Sequence, residues 1–165
     1  MQGLPYNKEA SLKKEESFKP IPRETLEKLV NPAAEAFSNG LDDFKKTENI
    51  EALESLHFVL LMDGSQANGK LLSRLHELVP YMSDTKYYDL IVAMFIDIAH
   101  YNQTVQRILI DAGVFKLLNY DNSLTFELIF NICDLNKAGL QQFLLECYNE
   151  SLSKNPKIMS LLKQL

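Results

Sequence analysis

What this chain lacks narrows the choices first. In 165 residues there are only 6 Gly and 6 Pro, and strict apolar–polar alternation is nowhere sustained, so a strand-and-turn fold has little support. No run of about 18 apolar residues could span a bilayer. Met1-Gln2-Gly3-Leu4-Pro5 has no apolar core of the kind a secretory leader needs. Positive charge is not in excess either. A formal net charge of -5 repels phosphate backbones and argues against nucleic acid as the main partner. Cys133 and Cys147 are the only cysteines, both among apolar residues, where buried free thiols are expected and a disulfide or redox pair is the alternative. A metal site would need further ligands at short spacing, and none is near. Nucleophile elbows, phosphate-cradling glycine loops and zinc-protease helices are missing, so no catalytic residue, cofactor or small-molecule substrate is expected.

What is present points to helices. The apolar fraction is 46% and the charged fraction 24%, which suits a globular chain with one buried core or a short array of stacked helical units. The most informative stretch is Gln106 to Leu118: an apolar-faced helix, the stop Gly113, and a second apolar-faced helix starting at once. Glycine tolerates the left-handed backbone that ends a helix. Two helices bent across one glycine cannot each bury a face alone, so such units stack on copies of themselves.

Residues 1–22 are polar and punctuated by Pro5, Pro20 and Pro22, which reads as a flexible or loosely docked lead-in to a helical domain over 23–165. A helix is expected from Arg23, and another from Asn31-Pro32 to Asn39-Gly40. Thr47 is a reasonable cap for a helix with Ile50, Leu53, Leu56 and Leu60 on one face, ended by Asp63-Gly64. Gly69 to Met82 follows, broken near Pro80. Ser83 or Asp84 caps the most buried element, which runs to Tyr101, with Tyr87-Tyr88 in the core. Asn102 interrupts it. Asn122 or Ser123 caps the helix of Leu124, Leu128 and Ile132. Ala138 to Asn149 and Pro156 to Leu165 complete the set. Two N-x-S/T sequons start at Asn102 and Asn149; they permit a secretory location without showing one.

An internal repeat is visible. Gln106 to Ala112 matches Gln141 to Cys147 in its apolar, polar and small positions, 35 residues on (106 to 141). Gly69 to Leu75 is a weaker earlier copy. A period of about 40 with two or three helices per unit is the armadillo/HEAT signature. The expected class is therefore all-α, an α-solenoid of two to three repeats, with an irregular helical bundle as the alternative. His57, His76 and His100 lie on different helices without ligand spacing, and His57 reads as a packed, hydrogen-bonded core histidine. In a solenoid the last helix of each unit lines the concave side. On that rule the candidate partner-binding residues are Arg74, Glu77 and Tyr81 in one unit and Lys116, Asn119 and Tyr120 in the next; Tyr and Arg are enriched at interface hot spots.

With these repeats in view, the chain resembles the armadillo-type nucleotide exchange factors of the seventy-kilodalton heat-shock (Hsp70-class) chaperones, in a lumenal Sil branch serving BiP or a cytosolic Fes/HspBP branch. Ala52 to Leu56 through Met62-Asp63-Gly64-Ser65-Gln66-Ala67 is similar to the family's first long helix and the turn after it. Asn102-Gln103-Thr104-Val105-Gln106 into Ala112-Gly113 and Leu117-Leu118 is similar to one repeat, and Phe130 to Leu135 with Gln141 to Leu144 to another. The C-terminal Leu162-Lys163-Gln164-Leu165 is not a retention signal, and family members are generally longer. The resemblance implies a non-enzymatic co-chaperone that clasps the chaperone's nucleotide-binding domain and promotes ADP release, in the endoplasmic reticulum lumen or, alternatively, the cytoplasm. Two rivals remain: an armadillo-like scaffold binding an unrelated protein or peptide, and a structural bundle that dimerises through an exposed apolar end.

Overall fold

The computed structural model describes residues 22–63 and 69–165. Two compact units divide the chain, Met1–Asn31 and Pro32–Leu165. The expected lead-in lies outside the described residues, apart from Pro22. Among the described residues every regular element is helical.

Helix α1 runs Arg23–Thr47, uninterrupted by Pro32 or Gly40. Two helices were expected here. Pro32 removes one N–H from the ladder, and the division between the two units falls at this proline. Gly40 is not a stop. A Cβ on it would come 2.9 Å from Leu56 Cδ2, so the missing side chain admits a neighbouring helix. Phe37, Leu41 and Phe44, spaced four and three apart, are buried on that helix.

Helix α2, Ile50–Asp63, starts from Asn49, whose Oδ1 accepts from Glu51 N–H at 3.0 Å. Thr47 instead closes α1: its hydroxyl donates to Asp43 O at 2.8 Å and accepts from Asn49 N–H at 3.3 Å. The single helix expected over Gly69–Met82 is in fact α3, Gly69–Leu72, followed by a 3-10 helix, Leu75–Ser83. Pro80 cannot join an α ladder, and a three-residue period turns Leu75, Leu78, Val79 and Met82 inward.

Helix α4, Thr85–Ala99, is capped by Asp84 and buried most of the way round, including Tyr87 and Tyr88. Helix α5, Gln103–Asp111, is capped by Asn102. Gly113 follows with φ +89 and nothing within 4 Å of a would-be Cβ, so its backbone conformation alone calls for glycine. The second helix expected there is one 3-10 turn, Val114–Leu117. Helix α6, Ser123–Cys133, is capped by Asn122, and α7, Lys137–Cys147, by Asn136. A 3-10 helix, Glu150–Lys154, and α8, Pro156–Leu162 with Asn155 as cap, end the chain. Both sequon asparagines are helix caps: Asn102 accepts from Val105 N–H, and Asn149 from Leu152 N–H.

The elements alternate between two layers. In one, α2 packs on α4, α4 on α6, and α6 on α8. In the other, the 3-10 helix Leu75–Ser83 meets α5 and its 3-10 turn, and these meet α7. One apolar core, from Phe37 to Leu161, runs between them.

Candidate partner-binding face

Most of the residues expected to bind a partner turn out to be engaged within the chain. Arg74 Nη1 donates to Ser38 Oγ at 2.7 Å, Nη2 to Asp42 Oδ1 at 2.7 Å, and Nε to Glu77 Oε2 at 2.6 Å. Lys45 Nζ donates to Glu77 Oε1 at 2.5 Å. The hydrogen bond from Arg74, then that from Lys45, holds the Glu77 carboxyl at about 2. This cluster fastens α1 to the 3-10 helix. Tyr81 packs its ring on Phe44 and Tyr87, with centroids 4.9 and 6.2 Å away.

In the second unit, Asn119 N–H donates to Tyr88 Oη at 2.9 Å, and Asn119 O accepts from the Thr125 hydroxyl. With the Thr125 proton so committed, Tyr88 donates to Thr125 Oγ1 at 2.5 Å, a closed polar knot inside the core. The Tyr120 hydroxyl is buried without a hydrogen-bond partner among the described residues. It sits beside the Cys147 thiol, but that Sγ points to Phe115 O at 3.2 Å, and burial pushes the phenol's ionisation up. Of the six, Lys116 alone is exposed.

A different surface is exposed along the row α2–α4–α6–α8. Phe58 and Leu61 on α2 are 63% and 53% exposed. On α4 the partly exposed Asp89, Leu90, Ala93, Ile96 and Asp97 recur three or four apart, one stripe of a helix. Phe126, Glu127, Phe130 and Asn131 do the same on α6. Polar bridges join each helix of the row to the next. His57 Nε2 meets Asp97 Oδ2 at 2.7 Å, His100 Nδ1 meets Asn131 Oδ1 at 2.7 Å, and Gln164 Nε2 donates to Asp134 Oδ1 at 2.7 Å. Lys157 Nζ lies 5.5 Å from the Phe130 ring centroid. His57 is thus hydrogen-bonded as expected, but it lies on the partly exposed seam between α2 and α4 and not in the core. Exposed Glu51, Glu54, Asp89 and Asp97 make the near end of this row acidic. The sequence did carry a signal for it: Phe58 and Leu61 fall off the Leu53–Leu56–Leu60 face.

Below the row, Gln106 is 1% exposed and fully satisfied. Its Nε2 donates to Ala99 O at 2.9 Å and Asn131 O at 3.1 Å, and its Oε1 accepts from Asn136 Nδ2 at 2.9 Å. One amide thereby locks the ends of α4 and α6 to the start of α7. Both cysteines are free, and burial pushes the Cys133 thiol up to about 12, which makes it inert. Among the described residues no cluster of His, Cys, Asp or Glu could hold a metal ion, and no helix is long and apolar enough to cross a membrane. No protein-family model, curated protein or solved structure matches this chain.

Proposed function

We propose that this chain is a short armadillo-like α-solenoid that binds the nucleotide-binding domain of an Hsp70-class chaperone and promotes ADP release, without catalytic groups of its own. One observation carries the solenoid reading. A helix ends, one residue takes a left-handed backbone, and an asparagine caps the next helix, three times over: Glu48 (φ 55) with Asn49, Tyr101 (φ 56) with Asn102, and Leu135 (φ 54) with Asn136. The last two corners are 34 residues apart (101 to 135) and join equivalent elements, α4 to α5 and α6 to α7. Stacking of α2, α4, α6 and α8 in chain order fits nearest-neighbour repeats.

The chaperone reading rests on the family resemblance. Its support here is that the resembling stretches fall on α2 as far as Asp63 (residues 64–67 lie outside the described residues), on α5 with its 3-10 turn, and on the α6–α7 corner. The contact face is the row carrying Phe58, Leu61 and Ile96, an acidic and apolar surface suited to a basic, apolar-flanked lobe. Exchange needs only that this face bind the ADP-releasing state better than the ADP-holding one. The lumenal branch implies the endoplasmic reticulum lumen as the compartment.

The test is stopped-flow release of a fluorescent ADP analogue from an isolated chaperone ATPase domain. Release should accelerate at least about tenfold with the wild-type chain, a barrier lower by about 1.4 kcal/mol, and lose most of that with Phe58→Asp. Unchanged release in the presence of a bound wild-type chain rejects exchange and leaves the scaffold.

A further inference from the structure

A second surface lies away from the row. Helices α5 and α7 flank an open groove of about 840 Å³. We infer that this groove docks an extended peptide segment of another protein, one that carries aliphatic side chains next to a carboxylate.

Three features of the lining specify that occupant. Leu135 and Leu145 enter the groove 70% and 83% exposed, with Ile110 beside them, so aliphatic side chains have somewhere to bury. Leu135 holds this place in a left-handed backbone (φ 54) that asparagine or glycine would adopt at lower cost. A bulky apolar residue kept exposed in that conformation is a poor choice for folding alone. Second, the side-chain amides of Gln103, Gln141 and Gln142 line the groove and have no hydrogen-bond partner among the described residues. Amides offer both donor and acceptor, which an extended peptide backbone needs. Third, the groove is locally basic in an acidic chain. Among the described residues, Arg107 and Lys137 stand against Asp111, whose carboxylate is drawn 3.4 Å to Arg107, and Lys137 has no ion-pair partner. Lys137 is also the first residue of α7, where unpaired backbone N–H groups add positive potential.

Gly139 keeps the two helices close enough for this. A Cβ there would reach Asn136 Nδ2 at 2.6 Å and Ile110 Cδ1 at 3.2 Å. The residues that line the groove are not those of the helix row proposed to meet the chaperone.

The experiment is selection of a random dodecapeptide phage library on the full chain, followed by fluorescence anisotropy with resynthesised peptides bearing a free or an amidated C terminus. Selected peptides should combine Leu, Ile or Val with Asp or Glu, or depend on the free terminus. Lys137→Glu and Leu145→Asp, both at exposed positions, should weaken them roughly tenfold or more each while circular dichroism stays unchanged. Selected peptides that bind both variants as well as wild type overturn the proposal, as does a library that yields no binder above background. A self-association in sedimentation that Leu145→Asp abolishes also overturns it, since the occupant would then be a second copy.

Discussion

At the scale of single residues, polar side chains that a sequence reader assigns to a partner are used here to fasten one helix to another. Arg74 reaches three side chains at once, and its fork geometry is why arginine fits where lysine would satisfy only one. Its effect on Glu77 gives a pH dependence. The Glu77 carboxyl sits at about 2 in the folded chain, below the 4.5 of a free glutamate. The unfolded chain therefore binds a proton that the folded one refuses. The contribution is complete above pH 4.5 and fades as pH falls towards 2. Urea midpoints measured between about pH 6 and pH 2 should fall more steeply for wild type than for Glu77→Gln, with the two curves converging at the acid end. Parallel curves would mean that Arg74 and Lys45 do not hold Glu77 in solution.

At the scale of elements, the sequence was most legible where a side chain states a local fact. Asp84 and Asn122 were readable as caps because each accepts a backbone N–H that the helix start leaves open, whereas Asn102 read only as an interruption and proved a cap as well. Gly113 was readable because the left-handed backbone that ends a helix favours glycine. Pro32 and Gly40 misled because their usual meaning is local while the outcome is tertiary: Leu56 leans on Gly40 and the helix continues past it. The 3-10 helices were missed because a three-residue and a 3.6-residue period diverge too little over nine residues such as Leu75–Ser83. The non-glycine corners had no sequence signal at all, since Tyr101 and Leu135 are not residues that announce a left-handed backbone. They do yield a prediction. Leu135→Gly removes little burial and relieves the strained backbone, so thermal unfolding should show a gain of about 1 kcal/mol. Gly113→Ala, with open space around it but the same left-handed requirement, should lose about 1 kcal/mol. A loss in both would show that Leu135 is packed in solution and not strained.

At the scale of the whole molecule, helix faces told which residues are buried, but not which helices lie side by side. Leu53, Leu56 and Leu60 could be placed in a core from their spacing. That α2 would pack on α4, and α4 on α6, depends on contacts far apart in sequence. Spacing alone could therefore not show that Arg74 would be tied to α1 or that Phe58 and Leu61 would stand exposed on a row of helices. The stacking order has a mechanical consequence. If each unit leans chiefly on its neighbours, damage at one end should stay there. Leu161 is fully buried where α8 meets α6, and Leu161→Ala should cost about 2–4 kcal/mol locally. Native-state hydrogen exchange should then show α8 and the 3-10 helix Glu150–Lys154 losing protection well before α2 and α4. Amides of α2 that loosen in step with those of α8 would mean a single cooperative globule, and the case for successive repeats, with the row of helices as its binding face, would fail.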